Sequence, residues 1–261
     1  MDSLQIERGD DGIVTVTLNR PEKKNAINGP MWTGLREIFE EVRSNSDHRA
    51  MVLTGAGGEF CSGADLTASR DDPRSASAPP MDGMRNVADT ILALHRIPKP
   101  TIAKVDGVAA GGGCNLALGC DLIVASDRSR FVEIFPKRGL TVDCGGSWLL
   151  PRLIGLHKAK ELAFFGDLVS ADEAMAMGLV NRVVPAAEIH DVVDDWARRL
   201  ASGPTVALSL TKTLLNNAFH VSMGQALEDE GAAQTVNRLT HDTAEARAAF
   251  LEKRAPEFQG R

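Results

Sequence analysis

The chain has 261 residues, of which 43% are hydrophobic and 25% charged, with a net charge of −6. That is ordinary globular usage, and the length suffices for a sizeable core. The negative balance argues against an extended nucleic-acid surface, and 5% aromatic residues without a single tyrosine argue against base-stacking platforms.

The opening residues, Met1 to Arg8, carry no charged-then-apolar leader, and no apolar run approaches a membrane span, so the expectation is a cytoplasmic protein without a membrane partner. Ile13 to Leu18 alternates β-branched and polar residues and reads as a strand, ended by Asn19-Arg20-Pro21. Pro30 to about Ser44 reads as a helix whose inner face carries Trp32, Leu35, Ile38, Phe39 and Val42. Ala50 to Thr54 is a short buried strand closed by Gly55-Ala56-Gly57-Gly58. Leu66 to Pro80, rich in Ser, Ala, Asp and Pro, reads as a mobile surface loop.

A helix from about Met84 to His95 is expected next, then a strand at Thr101–Val105 and the turn Asp106-Gly107. A helix over 112–119 leads into the strand Asp121–Ala125. Strand, glycine turn, helix and strand at this spacing predict α/β crossover units. Beyond residue 144 the pattern is nearly all helix, including a capping box at Ser170 to Glu173 and one more strand over Leu179–Val184. Residues 186–254 read as three or four amphipathic helices, broken at Ser202-Gly203-Pro204 and Val221 to Gly224. The four cysteines, Cys61, Cys114, Cys120 and Cys144, lack metal-ligand spacing and read as reduced, mostly buried thiols, so no metal is expected.

Two turns could carry chemistry. Gly111-Gly112-Gly113 follows a strand and opens a helix, which aims free N–H groups at whatever sits above them. It lacks the third glycine of a dinucleotide fingerprint, and no Walker lysine follows. Its alternatives are close packing of helix on strand, or an oxyanion site. Phe60 to Leu66, with Ser62-Gly63-Ala64-Asp65 at its centre, also follows a buried strand and offers a second N–H near Ala64. Two such turns after neighbouring strands can converge on one carbonyl oxygen.

Together these segments resemble the crotonase superfamily, the enoyl-CoA hydratases and isomerases. The resemblance rests on Asn19-Arg20-Pro21 with Asn25-Ala26, on Phe60–Leu66, and on the block from Pro100 to Asp121. Gly145 to Gly155, and Phe250 to Lys253 with the Pro-Glu-Phe beyond, complete it. It implies an α/β fold with a spiral of ββα units over residues 1–195 and a helical oligomerisation region over 196–261, assembled as a homotrimer or a dimer of trimers. It further implies an acyl-coenzyme A thioester as substrate, with no separate cofactor, and an oxyanion hole from the N–H groups of Ala64 and Gly112. Coenzyme A would lie against Lys24, Ala26, Ser62, Ala64, Asp65 and Leu66, and Phe250 and Lys253 correspond to residues that reach a neighbouring subunit's coenzyme A.

The hydratases carry two catalytic glutamates, and both positions differ here: Asn115 and Phe135 stand in their places. Asparagine exchanges no proton near neutral pH and phenylalanine has none to give, so efficient water addition is disfavoured. Glu133 lies two residues from one of these positions, but the ungapped distance from Phe131 to Gly145-Gly146 fits the family without a shift, so Glu133 is expected to point to the opposite side of its segment. Asp143, just before Gly145-Gly146, matches the working carboxylate of several isomerases in the superfamily, though an aspartate there also suits a helix N-cap. The leading expectation is a double-bond isomerase with Asp143 as proton shuttle. A slow single-acid hydratase and a non-catalytic acyl-CoA binder are the alternatives.

Overall fold

A computed structural model describes residues 3–67 and 80–261. The main sheet has six strands in the order β1-β2-β3-β4-β6-β9. These are β1 (Leu4–Arg8), β2 (Ile13–Leu18), β3 (Ala50–Gly55), β4 (Thr101–Val105), β6 (Leu122–Ser126) and β9 (Arg182–Val184). Only the β1–β2 pair is antiparallel; from β2 to β9 each neighbour runs parallel. A parallel pair needs a crossover, and α1 (Gly29–Ser44), α2 (Pro80–His95) and α3 (Gly112–Leu118) lie within those crossovers. A second, small sheet joins β5 (Val108–Ala110), β7 (Arg130–Val132) and β8 (Val169–Ser170).

The helix expected from Pro30 starts one residue earlier, because Asn28 caps it by accepting from the Met31 N–H at 3.1 Å. Its whole expected inner face is buried, with Met31 added. Helix α2 begins at Pro80 rather than Met84. The mobile loop expected over 66–80 falls, for residues 68–79, outside the described residues. The short strands β1, β5, β7 and β8 were not foreseen, and the strand expected over Leu179–Val184 shrinks to β9.

One core lies between this sheet and helices α1, α2, α3 and α4 (Gly146–Phe165), built on Phe39, Phe60, Phe131, Met31 and Leu53. A smaller one forms on the other face, where α6 (Ile189–Ala201) lays Ile189, Val193 and Ala197 on Val52, Ile102, Val124 and Val184. Each large side chain so buried contributes roughly 1.5–3 kcal/mol. The division expected at 195/196 therefore falls inside a helix that packs on the main sheet.

The capping box at Ser170 and Glu173 opens α5 (Ala171–Ala176) as expected. Beyond Ser202-Gly203-Pro204 come α7 (Thr205–Asn217), α8 (Met223–Asn237) and α9 (His241–Glu252), attached to the rest by polar ties. Lys212 on α7 pairs with Asp121 at 2.7 Å. Arg49, at the foot of β3, donates to the carbonyls of Gly203 (2.6 Å) and Phe258 (3.3 Å) and to Thr205 Oγ1 (3.1 Å). The buried Asp242 carboxylate accepts the N–H groups of Gln259 (2.7 Å) and Gly260 (2.8 Å). All four cysteines are buried and free.

Candidate active site

The site is assembled by pairing the two glycine turns. Leaving β3, the chain passes Gly55, whose missing β-carbon would strike the carbonyls of Glu59 and Phe60. The N-terminal signature closes over this bend. Asn25, left-handed at φ 56°, is fully buried and donates to the carbonyls of Ala56 (2.8 Å) and Glu59 (2.7 Å). Arg20 clamps both sides, donating to the Ala26 carbonyl at 2.7 Å and pairing with Asp65 at 2.8 Å. Bonding to Thr67 and Arg20 holds the Asp65 carboxyl well below the usual carboxylate range.

Two short backbone ladders then align the turns. The Ser62 N–H donates to the Lys24 carbonyl, the Ile27 N–H to Gly63, and the Asp65 N–H to Ile27, at 2.8–2.9 Å. Lys24, Ala26, Ser62, Ala64 and Asp65 are thus brought together along one ridge, with Leu66 exposed at its end. On the other side the Cys61 N–H donates to Val108 and the Ala110 N–H donates to Cys61, both at 2.9 Å. Successive N–H groups of an extended chain point opposite ways. Gly63 and Asp65 spend their bonds on Ile27, so the Ala64 N–H faces away from that ladder.

Gly112 opens α3 and its N–H has no intrahelical acceptor. A β-carbon added at Gly63 would lie 3.7 Å from the Gly112 nitrogen, which places the two turns in contact. The three glycines differ in what surrounds them. Gly111 adopts φ 52° and donates to Val132 at 2.8 Å, with the Phe135 ring against it. Gly113 packs on Cys61, where a β-carbon would meet the carbonyl oxygen at 2.5 Å and the sulfur at 2.6 Å. Gly112 is the one of the three that faces a carboxylate: its β-carbon would lie 3.0 Å from Cys144 Sγ, 3.8 Å from Asp143 Oδ1 and 4.0 Å from the Trp32 ring.

Asp143 therefore joins the glycine turns. Its side chain caps no helix: Gly145 stands at the α4 N-cap without a side-chain bond, and the Gly146 N–H takes the Asp143 backbone carbonyl at 2.9 Å. Asp143 Oδ1 is buried and has no hydrogen-bond partner among the described residues. Burial pushes its pKa upward, opposed by the Cys144 thiol. Asn115, fully buried, donates through Nδ2 to the Asp143 carbonyl at 3.0 Å and to Glu133 Oε2 at 3.3 Å.

Glu133 corrects the sequence expectation. It is 2% exposed and belongs to this cluster instead of facing away from it. The ungapped spacing from Phe131 to Gly145-Gly146 sets the register of this segment but not the direction of its side chains, because β7 ends at Val132 and Ile134 is already helical, at φ −65° and ψ −10°, ahead of a 3-10 turn over Phe135–Arg138. Pro136 was the available signal, since a strand seldom runs on into proline. Burial raises the Glu133 pKa to about 7, with Cys114 and Asn115 opposing and Asp143 adding to the rise.

Phe250 and Lys253 do not join the cluster. They sit on α9, Phe250 81% exposed and Lys253 left-handed at its C-cap, and the hydrogen bonds uniting residues 20–66 do not include them.

Residues 8–261 match the enoyl-CoA hydratase/isomerase family. The 1,2-epoxyphenylacetyl-CoA isomerase of Escherichia coli strain K12 is 40% identical over 253 residues, covering 96% of each chain. The short-chain-enoyl-CoA hydratase of Clostridium acetobutylicum is 34% identical over 249 residues, covering 93% of this chain and 92% of its own. The crystal structure of an enoyl-CoA hydratase from Bacillus anthracis superposes with a TM-score of 0.93 at 30% identity, covering all of both chains. This protein belongs to the enoyl-CoA hydratase/isomerase family, within the crotonase superfamily, and has its α/β fold with a helical C-terminal region.

Proposed function

We propose that this protein shifts a carbon–carbon double bond within an acyl-CoA thioester, with Asp143 carrying the proton. The observation behind this is the position of Asp143 Oδ1, buried and unpartnered beside the Gly112 turn, while Asn115 and Phe135 stand where two carboxylates would share the addition of water. The N–H groups of Ala64 and Gly112 hold the thioester oxygen. Asp143 takes a proton from the carbon next to the thioester, the electron pair passes to that oxygen as an enolate, and the two donors stabilise the charge. Returning a proton from the same carboxyl two carbons further along restores the thioester with its double bond moved, so a single carboxyl, which exchanges its proton with solvent between the two steps, suffices. An upward-shifted Asp143 suits both halves of the exchange.

The ridge of Lys24, Ala26, Ser62, Ala64, Asp65 and Leu66 receives coenzyme A, which arrives as part of the substrate. Phe250 and Lys253, outside their own cluster, serve a neighbouring copy's site in a trimer. The apolar surface at Phe219, Met223, Leu227, Leu239, Phe250 and Leu251 supports that assembly. Hydration is the second reading, favoured by the hydratase relative and by a second carboxyl, Glu133, near Asp143.

Incubation with 3-hexenoyl-CoA and with 2-hexenoyl-CoA in deuterated water separates these. Isomerisation gives interconversion with deuterium at the carbons next to and two beyond that position, and D143N loses it by about a thousandfold with coenzyme A affinity unchanged. A 3-hydroxyacyl product supports hydration. Binding without exchange excludes both.

A further inference from the structure

Three polar atoms in one small volume are buried without a hydrogen-bond partner among the described residues: Asn115 Oδ1, Glu133 Oε1 and Asp143 Oδ1. All three are acceptors when the carboxyls are ionised. The donors present are Asn115 Nδ2, committed to the Asp143 carbonyl and to Glu133 Oε2, and two thiols, Cys114 on Glu133 and Cys144 on Asp143. The asparagine cannot be turned round to help, because its Nδ2 is needed by a carbonyl that only accepts. A buried acceptor left unpaired is costly, and two buried carboxylates beside one another are costlier still. One added hydrogen on Glu133 eases both defects, since it turns one of the unpaired acceptors into a donor and removes a charge.

We propose that Glu133 is a positioning residue that stays protonated behind Asp143, so that the pair carries a single negative charge while a proton is moved. Glu133 acts through Asn115, whose bond to the Asp143 carbonyl fixes the turn that presents the carboxylate. The titratable groups acting on Glu133 are Cys114 on α3 and Asp143 and Cys144 before α4, none of them a cation. The 3-10 turn that follows adds Lys137, exposed and paired with Asp167 at 3.1 Å, and the exposed Arg138. As Asp143 takes the proton its charge passes to the enolate at Gly112, so this volume holds one negative charge beside a neutral Glu133 and two beside an ionised one. The enolate is tolerated in the first case and opposed in the second.

This inference rests on the isomerase reading, and its test is the pH dependence of 3-hexenoyl-CoA turnover. For the unaltered protein, kcat should fall at least tenfold between about pH 7 and about pH 9 as the second proton leaves the pair. In E133Q, which keeps the shape and stays neutral, that alkaline fall should vanish. In E133M, neutral but unable to accept from Asn115, the fall should also vanish, with kcat lower by about tenfold throughout. The proposal is overturned by a flat alkaline profile in the unaltered protein, or by an alkaline fall that persists in either variant. D143N run in parallel keeps the two ideas apart. If it turns over normally, the isomerase reading fails; if it is inactive while E133Q retains the alkaline fall, only the role of Glu133 fails.

Discussion

Asn115 Nδ2 lies 3.0 Å from the carbonyl oxygen of Asp143, so a side chain two residues beyond the glycine run holds in place the turn that carries the candidate acid. The same nitrogen reaches Glu133 at 3.3 Å, and the residue is fully buried. Replacing it with leucine, of similar size, strands one carbonyl and one carboxyl without their donor. N115L should lose about 2–3 kcal/mol of stability and at least tenfold in kcat, with little change in coenzyme A affinity. Chemical denaturation and steady-state kinetics measure both; an unchanged kcat would remove Asn115 from the site.

The neighbouring glycines should respond differently to one methyl group. At Gly113 the methyl meets the Cys61 carbonyl and sulfur at 2.5 and 2.6 Å, so G113A should lower stability by several kcal/mol. At Gly112 it meets nothing closer than 3.0 Å but enters the space between Cys144, Asp143 and Trp32. G112A should fold with nearly normal stability and lose turnover by about a hundredfold. Paired melting curves and rates decide it, and equal effects on both quantities would refute the distinction.

Glu133 gives a stability signature independent of catalysis. Its pKa is raised from an ordinary 4.5 to about 7 in the folded protein. The native state then binds this proton more tightly than the unfolded one, so stability declines as pH rises from about 4.5 to about 7 and stays lower above. That difference, about 3 kcal/mol, should disappear in E133Q. Urea melts of both proteins at about pH 4.5 and about pH 8 measure it; parallel pH dependences would count against the assignment.

Arg20 joins the two strands of the ridge proposed to receive coenzyme A, through the Ala26 carbonyl and the largely buried Asp65 carboxylate. In R20M that carboxylate loses its charged partner, which should cost about 3 kcal/mol and raise KM for acyl-CoA more than it lowers kcat. A normal KM would indicate that coenzyme A lies elsewhere.

Much of this architecture was legible in the sequence because it depends on local rules. The inner face of α1 follows helical spacing, the capping box at Ser170 follows its residue types, and Gly111 to Gly113 stand out where strand meets helix. Strands β5 and β7, of three residues each, carry no period to read. The orientation of Glu133 escapes the sequence because the spacing from Phe131 to Gly145-Gly146 sets register alone, and side-chain direction is no longer periodic once β7 ends at Val132. Distances such as that from Gly112 to Asp143 join segments thirty residues apart through α3 and α4 packing, which no local pattern encodes.

The guanidinium of Arg49 sets an order on folding. Residue 49 is made early, in the segment that forms β2 and β3, while its partners Gly203, Thr205 and Phe258 are made late. During synthesis the first half can collapse around its own core, yet this arginine cannot complete its set of bonds until residue 258 has left the ribosome. Helices α7 to α9 are therefore expected to dock last and to open first, and hydrogen exchange should find them less protected than the sheet they cover.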